Sequence, residues 1–206
     1  MRRRPPFRRP TPSATTDGMR WTIPNTLTTM RLLAALGVPV MFLYFHRPTA
    51  DWFALALFVS AAITDYFDGY LARLWKQESK FGTMLDPIAD KAMVVIALLI
   101  LTGYSGMNPW LILPASVILF REVFVGGLRE FLGAKAGLLK VTRLAKWKTT
   151  AQMVAIPFLL FDGDLFDVID TRLWGTGLIW ISAIMTVWSM VYYLQKALPE
   201  IRKRVK

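Results

Sequence analysis

Four aspartates stand at fixed intervals in the stretch 65-DYFDGYLARLWKQESKFGTMLDPIAD-90: Asp65, Asp68, Asp86 and Asp90. Carboxylates gathered this densely repel one another unless protons or cations come between them. The chain has no cysteine and a single histidine, His46, which excludes thiolate and multi-histidine metal sites. An all-oxygen donor set selects hard ions, Mg²⁺ or Mn²⁺, with Ca²⁺ also admissible. Arg73 follows Gly69 by one helical turn and can meet an anion, while Gly69 and Ala72 leave room for a ligand near the backbone. Carboxylates, a cation and an open helix face together point to a phosphate-bearing substrate, because paired metals can clamp both oxygens of a displacement at phosphorus.

The elements that must position these residues are helices in a membrane. The apolar run 52-WFALALFVSAAIT-64 is too short to cross a bilayer, so its helix has to continue through Asp65 and Asp68 towards Arg73. Asp65, Asp68, Gly69 and Ala72 then share one face. Gly82 is expected to mark the connecting turn. Asp86-Pro87 reads as an N-cap followed by proline at the first helical position, with Asp90 one turn on. Two antiparallel helices would bring the four carboxylates to one membrane level. The plain alternative is that each aspartate caps a helix or pairs with a basic residue. Ionisable groups at membrane depth are costly, and four at this spacing favour a site.

The whole chain supports that setting. Its 206 residues are 54% hydrophobic, and its mean hydropathy is +0.40. Six mostly apolar segments predict spans at Asn25–Phe45, Trp52–Arg73, Pro87–Gly103, Trp110–Leu128, Ala145–Phe161 and Trp174–Leu194. The expected fold class is therefore an all-α integral membrane protein with six transmembrane helices around a cytoplasm-facing polar cavity. The net charge of +11 is distributed in a membrane pattern, which argues against nucleic acid as the partner. Lys and Arg concentrate in 2-RRRPPFRR-9, around Lys76 and Lys80, from Lys135 to Lys148, and in 202-RKRVK-206. The alternate loops hold Arg47, then none, then Arg172 among Asp162, Asp164, Asp167 and Asp170. By the positive-inside rule both termini are cytoplasmic, which six spans satisfy. Residues 1–20 read as a basic disordered tail (Met19 offers a second start), 21–196 as the membrane domain and 197–206 as a basic tail. Trp52, Trp110, Trp174, Tyr192 and Tyr193 read as interfacial anchors, and 162-DGDLFDVID-170 as an outer loop.

The pattern D-x2-D-G-x2-A-R-x8-G-x3-D-x3-D, filled by Asp65, Asp68, Gly69, Ala72, Arg73, Gly82, Asp86 and Asp90, resembles the signature of the CDP-alcohol phosphatidyltransferases. The resemblance covers about residues 20–195. It implies six membrane helices, a homodimer and two Mg²⁺ or Mn²⁺ ions. The implied reaction is transfer of a phosphatidyl group from CDP-diacylglycerol to an alcohol, with release of CMP. It implies that Asp65, Asp68, Asp86 and Asp90 hold the metals and that Asp90 is also the general base. Asn25, Thr28, Arg31, Gly69, Arg73 and Ser79 would contact CDP-diacylglycerol.

Three further stretches, 23-IPNTLTTMR-31, 121-REVFVGGLREFLGA-134 and 142-TRLAKWKTTAQM-153, resemble the branch of that family whose acceptor is sn-glycerol 3-phosphate. Ala145 departs from that branch's glycine. An acceptor with its own phosphate needs further cations, and Arg121, Arg129, Arg143, Lys146 and Lys148 are the candidates. Arg121 leads them because it sits inside an apolar segment; Glu122 is expected to point elsewhere on the helix. Such an enzyme would lie in a bacterial inner membrane, among membrane lipids, with its active site on the cytoplasmic side. The competing readings are the same chemistry on inositol phosphate, serine or phosphatidylglycerol, an intramembrane prenyltransferase, and a divalent-cation transporter. A prenyltransferase lacks the G-x2-A-R and x8-G spacing. A transporter would carry its carboxylates near the bilayer midplane.

Overall fold

The computed structural model describes residues 23–75, 80–133, 143–161, 163–165 and 169–205. Within these it forms six helices: α1 (Ile23–Tyr44), α2 (Thr49–Trp75), α3 (Lys80–Tyr104), α4 (Pro109–Leu132), α5 (Arg143–Phe161) and α6 (Thr171–Val205). Two short antiparallel strands, β1 (Asp164–Leu165) and β2 (Ile169–Asp170), close the connection between α5 and α6, with Asp164 opposite Asp170. The α5–α6 connection, expected to be an outer loop, thus carries a small strand pair that the sequence did not suggest.

Local chemistry explains three of the helix boundaries. Asn108 caps α4 by accepting from the Trp110 amide at 3.0 Å, and Pro109 opens the helix, where its missing N–H costs nothing. Gly133, at φ 51°, ends it. Asp170 accepts from the amides of Arg172 and Leu173 and so caps α6. The expected start of α3 is corrected. The helix begins at Lys80, so Gly82 lies inside it and Asp86-Pro87 is no N-terminus. Pro87 cannot donate to the Thr83 carbonyl, yet the helix passes through it. Packing of α3 on α1 outweighs one lost bond. At its far end α6 continues through residues 197–205, in helical register with the last span.

The bundle is held by α1 packing on α2 and α3, by α6 packing on α4 and α5, and by α2–α5, α3–α4 and α3–α5 contacts that join the two groups. Buried residues from all six helices form one core, among them Val38, Phe58, Leu98, Ile118, Ile156 and Ile179. A second cluster, Val125, Leu128, Leu132, Tyr193 and Ala197, fastens α4 to the later half of α6. Gly175 sets the approach of α5 and α6: a Cβ there would lie 2.7 Å from Leu159 Cγ and 3.2 Å from the Ala155 carbonyl oxygen.

The outward faces are as apolar as the core. Met30, Leu33 and Leu43 of α1 and Ile184 and Trp188 of α6 are exposed. A soluble bundle would carry polar residues there, whereas lipid solvates them. Among the described residues three helices, α1, α4 and α6, contain segments long and apolar enough to cross a membrane by length and composition. The protein is an all-helical membrane protein in its described core.

Candidate active site

The site starts on α1. Asn25, Thr28 and Arg31 recur every three residues and are all buried, with Arg31 only 3% exposed. A polar ladder inside an apolar bundle needs partners, and α2 and α3 supply them. Arg31 Nη1 donates to Asp65 Oδ1 on α2 and, at 2.7 Å, to Asp90 Oδ1 on α3. Thr28 Oγ1 donates to Asp86 Oδ1 at 2.7 Å. One face of α1 therefore gathers three of the four signature aspartates. Asp68, Gly69 and Arg73 lie on the helical backbone of α2, and Arg143 and Lys146 on that of α5. Their side chains are outside the described residues, as is Ser79 altogether.

The donor set suits a hard cation. Two carboxylates already converge on one cationic nitrogen, and every ligand atom there is oxygen. Among the described residues, which exclude the Asp68 side chain, no group of three or more acidic side chains or histidines is close enough to cage an ion. Asp65 and Asp90 remain about 43–44% exposed at their side chains, so the pair is open to a ligand while Arg31 is not.

An apolar groove of about 380 Å³ runs between α2 and α5, lined by Val59, Ile63, Phe67 and Pro157 together with Phe58, Ala62 and Met153. The last three also line a small cavity that contains Arg31, Asp65 and Asp90. The carboxylates thus adjoin an apolar slot at the outer surface of the bundle.

A second polar cluster lies between α4 and α5. Arg121 Nη1 donates to Glu122 Oε1 at 2.8 Å, and Lys148 Nζ donates to the same oxygen at 2.6 Å. The expectation that Glu122 points elsewhere is corrected: two long side chains bridge the angle between consecutive helical positions. Arg129, two turns along α4, is half-buried. The guanidinium of Arg121 also sits 5.7 Å from the centre of the Tyr193 ring. Tyr193 is fully buried, not an interfacial anchor, whereas Trp52, Trp110, Trp174 and Tyr192 are exposed as expected. Sequence reasoning assigned Glu122 and Tyr193 other roles, and Gln152 and Lys91 carried no assignment at all. An acidic residue in an apolar segment was a usable signal for Glu122. Nothing in the one-dimensional pattern marked Tyr193 or Gln152.

Comparison with known proteins places the chain in a family. Residues 21–188 match the family model described as CDP-alcohol phosphatidyltransferase. A CDP-diacylglycerol–glycerol-3-phosphate 3-phosphatidyltransferase of Cereibacter sphaeroides is 83% identical over 141 residues, or 68% of this chain and 64% of that protein. The match therefore spans just under two thirds of that relative. Proteins of the same name from Escherichia coli K12 and Shigella flexneri are 39% identical over 183 residues, covering 87% of this chain and 96% of theirs. With three of the four signature aspartates gathered on α1 and the family model matched over residues 21–188, the chain belongs to the CDP-alcohol phosphatidyltransferase family.

Proposed function

We propose that the protein transfers the phosphatidyl group of CDP-diacylglycerol to sn-glycerol 3-phosphate, giving phosphatidylglycerophosphate and CMP. The observation that carries this reading is the convergence of Asp65 and Asp90 on Arg31, beside an apolar groove between α2 and α5. It is supported by relatives whose names give both substrates. The lipid tails would occupy the groove and the diphosphate would lie over the carboxylates. Asn25, Thr28, Arg31, Gly69, Arg73 and Ser79 would hold the CDP moiety.

Asp65, Asp68, Asp86 and Asp90 would hold two Mg²⁺ or Mn²⁺ ions, which when bound would neutralise the diphosphate and draw charge from phosphorus. The protein's own residues do the rest. The primary hydroxyl of the acceptor is a poor nucleophile until its proton is removed, and Asp90 is the base that takes it. The hydroxyl oxygen bonds to the phosphorus that carries diacylglycerol. The bond to CMP breaks, and CMP leaves with the electron pair, its charge met by Arg73 and Arg31. The acceptor's phosphate is assigned to Arg121 and Lys148, with Arg129, Arg143 and Lys146 nearby in sequence on the same two helices.

In this reading all six helices span a bacterial inner membrane, both termini and the site face the cytoplasm, and the working unit is a homodimer. An acceptor panel tests the substrate. Purified protein, Mg²⁺ and CDP-diacylglycerol are mixed separately with glycerol 3-phosphate, inositol 1-phosphate, inositol and serine. Lipid product is expected with glycerol 3-phosphate, and a preference for any other acceptor would move the protein to another branch of its family.

A further inference from the structure

Among the described residues the cluster of Arg121, Glu122 and Lys148 is out of charge balance. Two cations with side chains 7% and 5% exposed share a single carboxylate oxygen. A third ammonium, Lys91 of α3, is close by: a Cβ built on Gly126 of α4 would lie 3.9 Å from Lys91 Nζ. Among the described residues Arg121 Nε and Gln152 Nε2 are buried without a hydrogen-bond partner. Buried charge that is only half neutralised is expensive, and such a cluster invites another anion. A phosphate monoester near neutral pH, with about −1.5 to −2 charge and three acceptor oxygens, matches that excess. Glu122, 17% exposed, holds meanwhile the donors such a phosphate would need.

We infer that Glu122 is the internal counter-anion of the acceptor pocket: it holds Arg121 and Lys148 between turnovers, yields them to the acceptor's phosphate, and so sets the acceptor's KM. This rests on the assignment of the acceptor phosphate to that cluster. Glu122 is a positioning residue, because it acts through the two cations. While its carboxylate occupies them, only a fraction of molecules is ready to bind phosphate. Apparent affinity falls by that fraction, and removing the competitor restores it. The carboxylate has a compensating use in the empty site, where it keeps two like charges from repelling each other apart.

The test uses the full chain with CDP-diacylglycerol and Mg²⁺. It measures KM for glycerol 3-phosphate and for CDP-diacylglycerol, and inhibition by inorganic phosphate. For Glu122→Gln the expected result is a fall on the order of tenfold in both the acceptor KM and the inhibition constant of phosphate, with the KM for CDP-diacylglycerol unmoved. Arg121→Gln and Lys148→Gln are expected to raise both constants. An acceptor KM that rises or stays level in Glu122→Gln, while the two cation variants raise it, overturns the role of Glu122 alone. If the cation variants also leave the acceptor KM unchanged, the acceptor-site assignment itself fails. Should Glu122→Gln not fold, Glu122→Asp keeps the charge on a shorter stem. Its weaker hold is expected to lower the acceptor KM by less, and an increase would contradict the inference.

Discussion

Arg31 sits at a place that a membrane bundle leaves to charge only for a reason. Its side chain is 2% exposed, and its Nη1 donates to both Asp65 and Asp90, which belong to different helices. Breaking a fully buried pair costs about 3–5 kcal/mol, but these aspartates are more than a third exposed, so about 1–2 kcal/mol is the scale expected for Arg31→Ala. Without Arg31 the two carboxylates face each other, and a divalent ion should replace it. Thermal unfolding in detergent should therefore show Arg31→Ala melting lower than the unchanged protein in chelator, with Mg²⁺ closing most of the gap. An equal Mg²⁺ response in both proteins would separate Arg31 from the cation site. For Asp90→Asn, loss of the proposed base predicts a drop in kcat of about 10²–10⁴-fold while CDP-diacylglycerol still binds. Asp65→Asn should lose Mg²⁺-dependent nucleotide binding as well. Affinity and kcat measured side by side decide this, and near-normal turnover by Asp90→Asn would remove it as the base. The aspartates were legible because fixed spacing survives translation into one dimension. Glu122 was misread because side-chain length overrode backbone direction, and Tyr193 because burial by α4 is a tertiary fact.

At the scale of the element, apolar run length located all six helices to within a few residues at most ends. The exceptions have physical causes. A proline that looks like a helix start stands eight residues into α3, because tertiary packing carries the helix past one missing hydrogen bond. The basic residues after Leu194 mark the end of apolar sequence but not of α6, since Lys and Arg are good helix formers. The close contact of α5 and α6 gives a test of packing. Gly175→Ala puts a methyl 2.7 Å from buried Leu159 and 3.2 Å from backbone, so overpacking should destabilise the bundle by about 1–3 kcal/mol. Gly177→Ala, which meets nothing within 4 Å, should be neutral or slightly stabilising. Melting temperatures of the two variants compare them directly, and equal values would mean that the α5–α6 contact is looser than described.

For the whole molecule, the apolar outer faces fit a bilayer, and the proposed orientation rests on the alternation of basic loops in the sequence. Single cysteines placed by Lys135→Cys and Asp167→Cys should label from opposite sides of the membrane, and labelling of both from one side would break the six-span topology. Membrane class and signature were readable from composition and spacing. The joining of the two polar clusters to one bundle was not, because it depends on α3 touching both α1 and α4. The measurement that bears most directly on the central claim is acceptor-dependent release of CMP. Purified protein in lipid vesicles is given CDP-diacylglycerol and Mg²⁺, with and without glycerol 3-phosphate. CMP should appear only when the acceptor is present, matched by phosphatidylglycerophosphate, and should cease on chelation or in Asp65→Asn. Release of CMP at the same rate without glycerol 3-phosphate, or no release with it, would contradict the account.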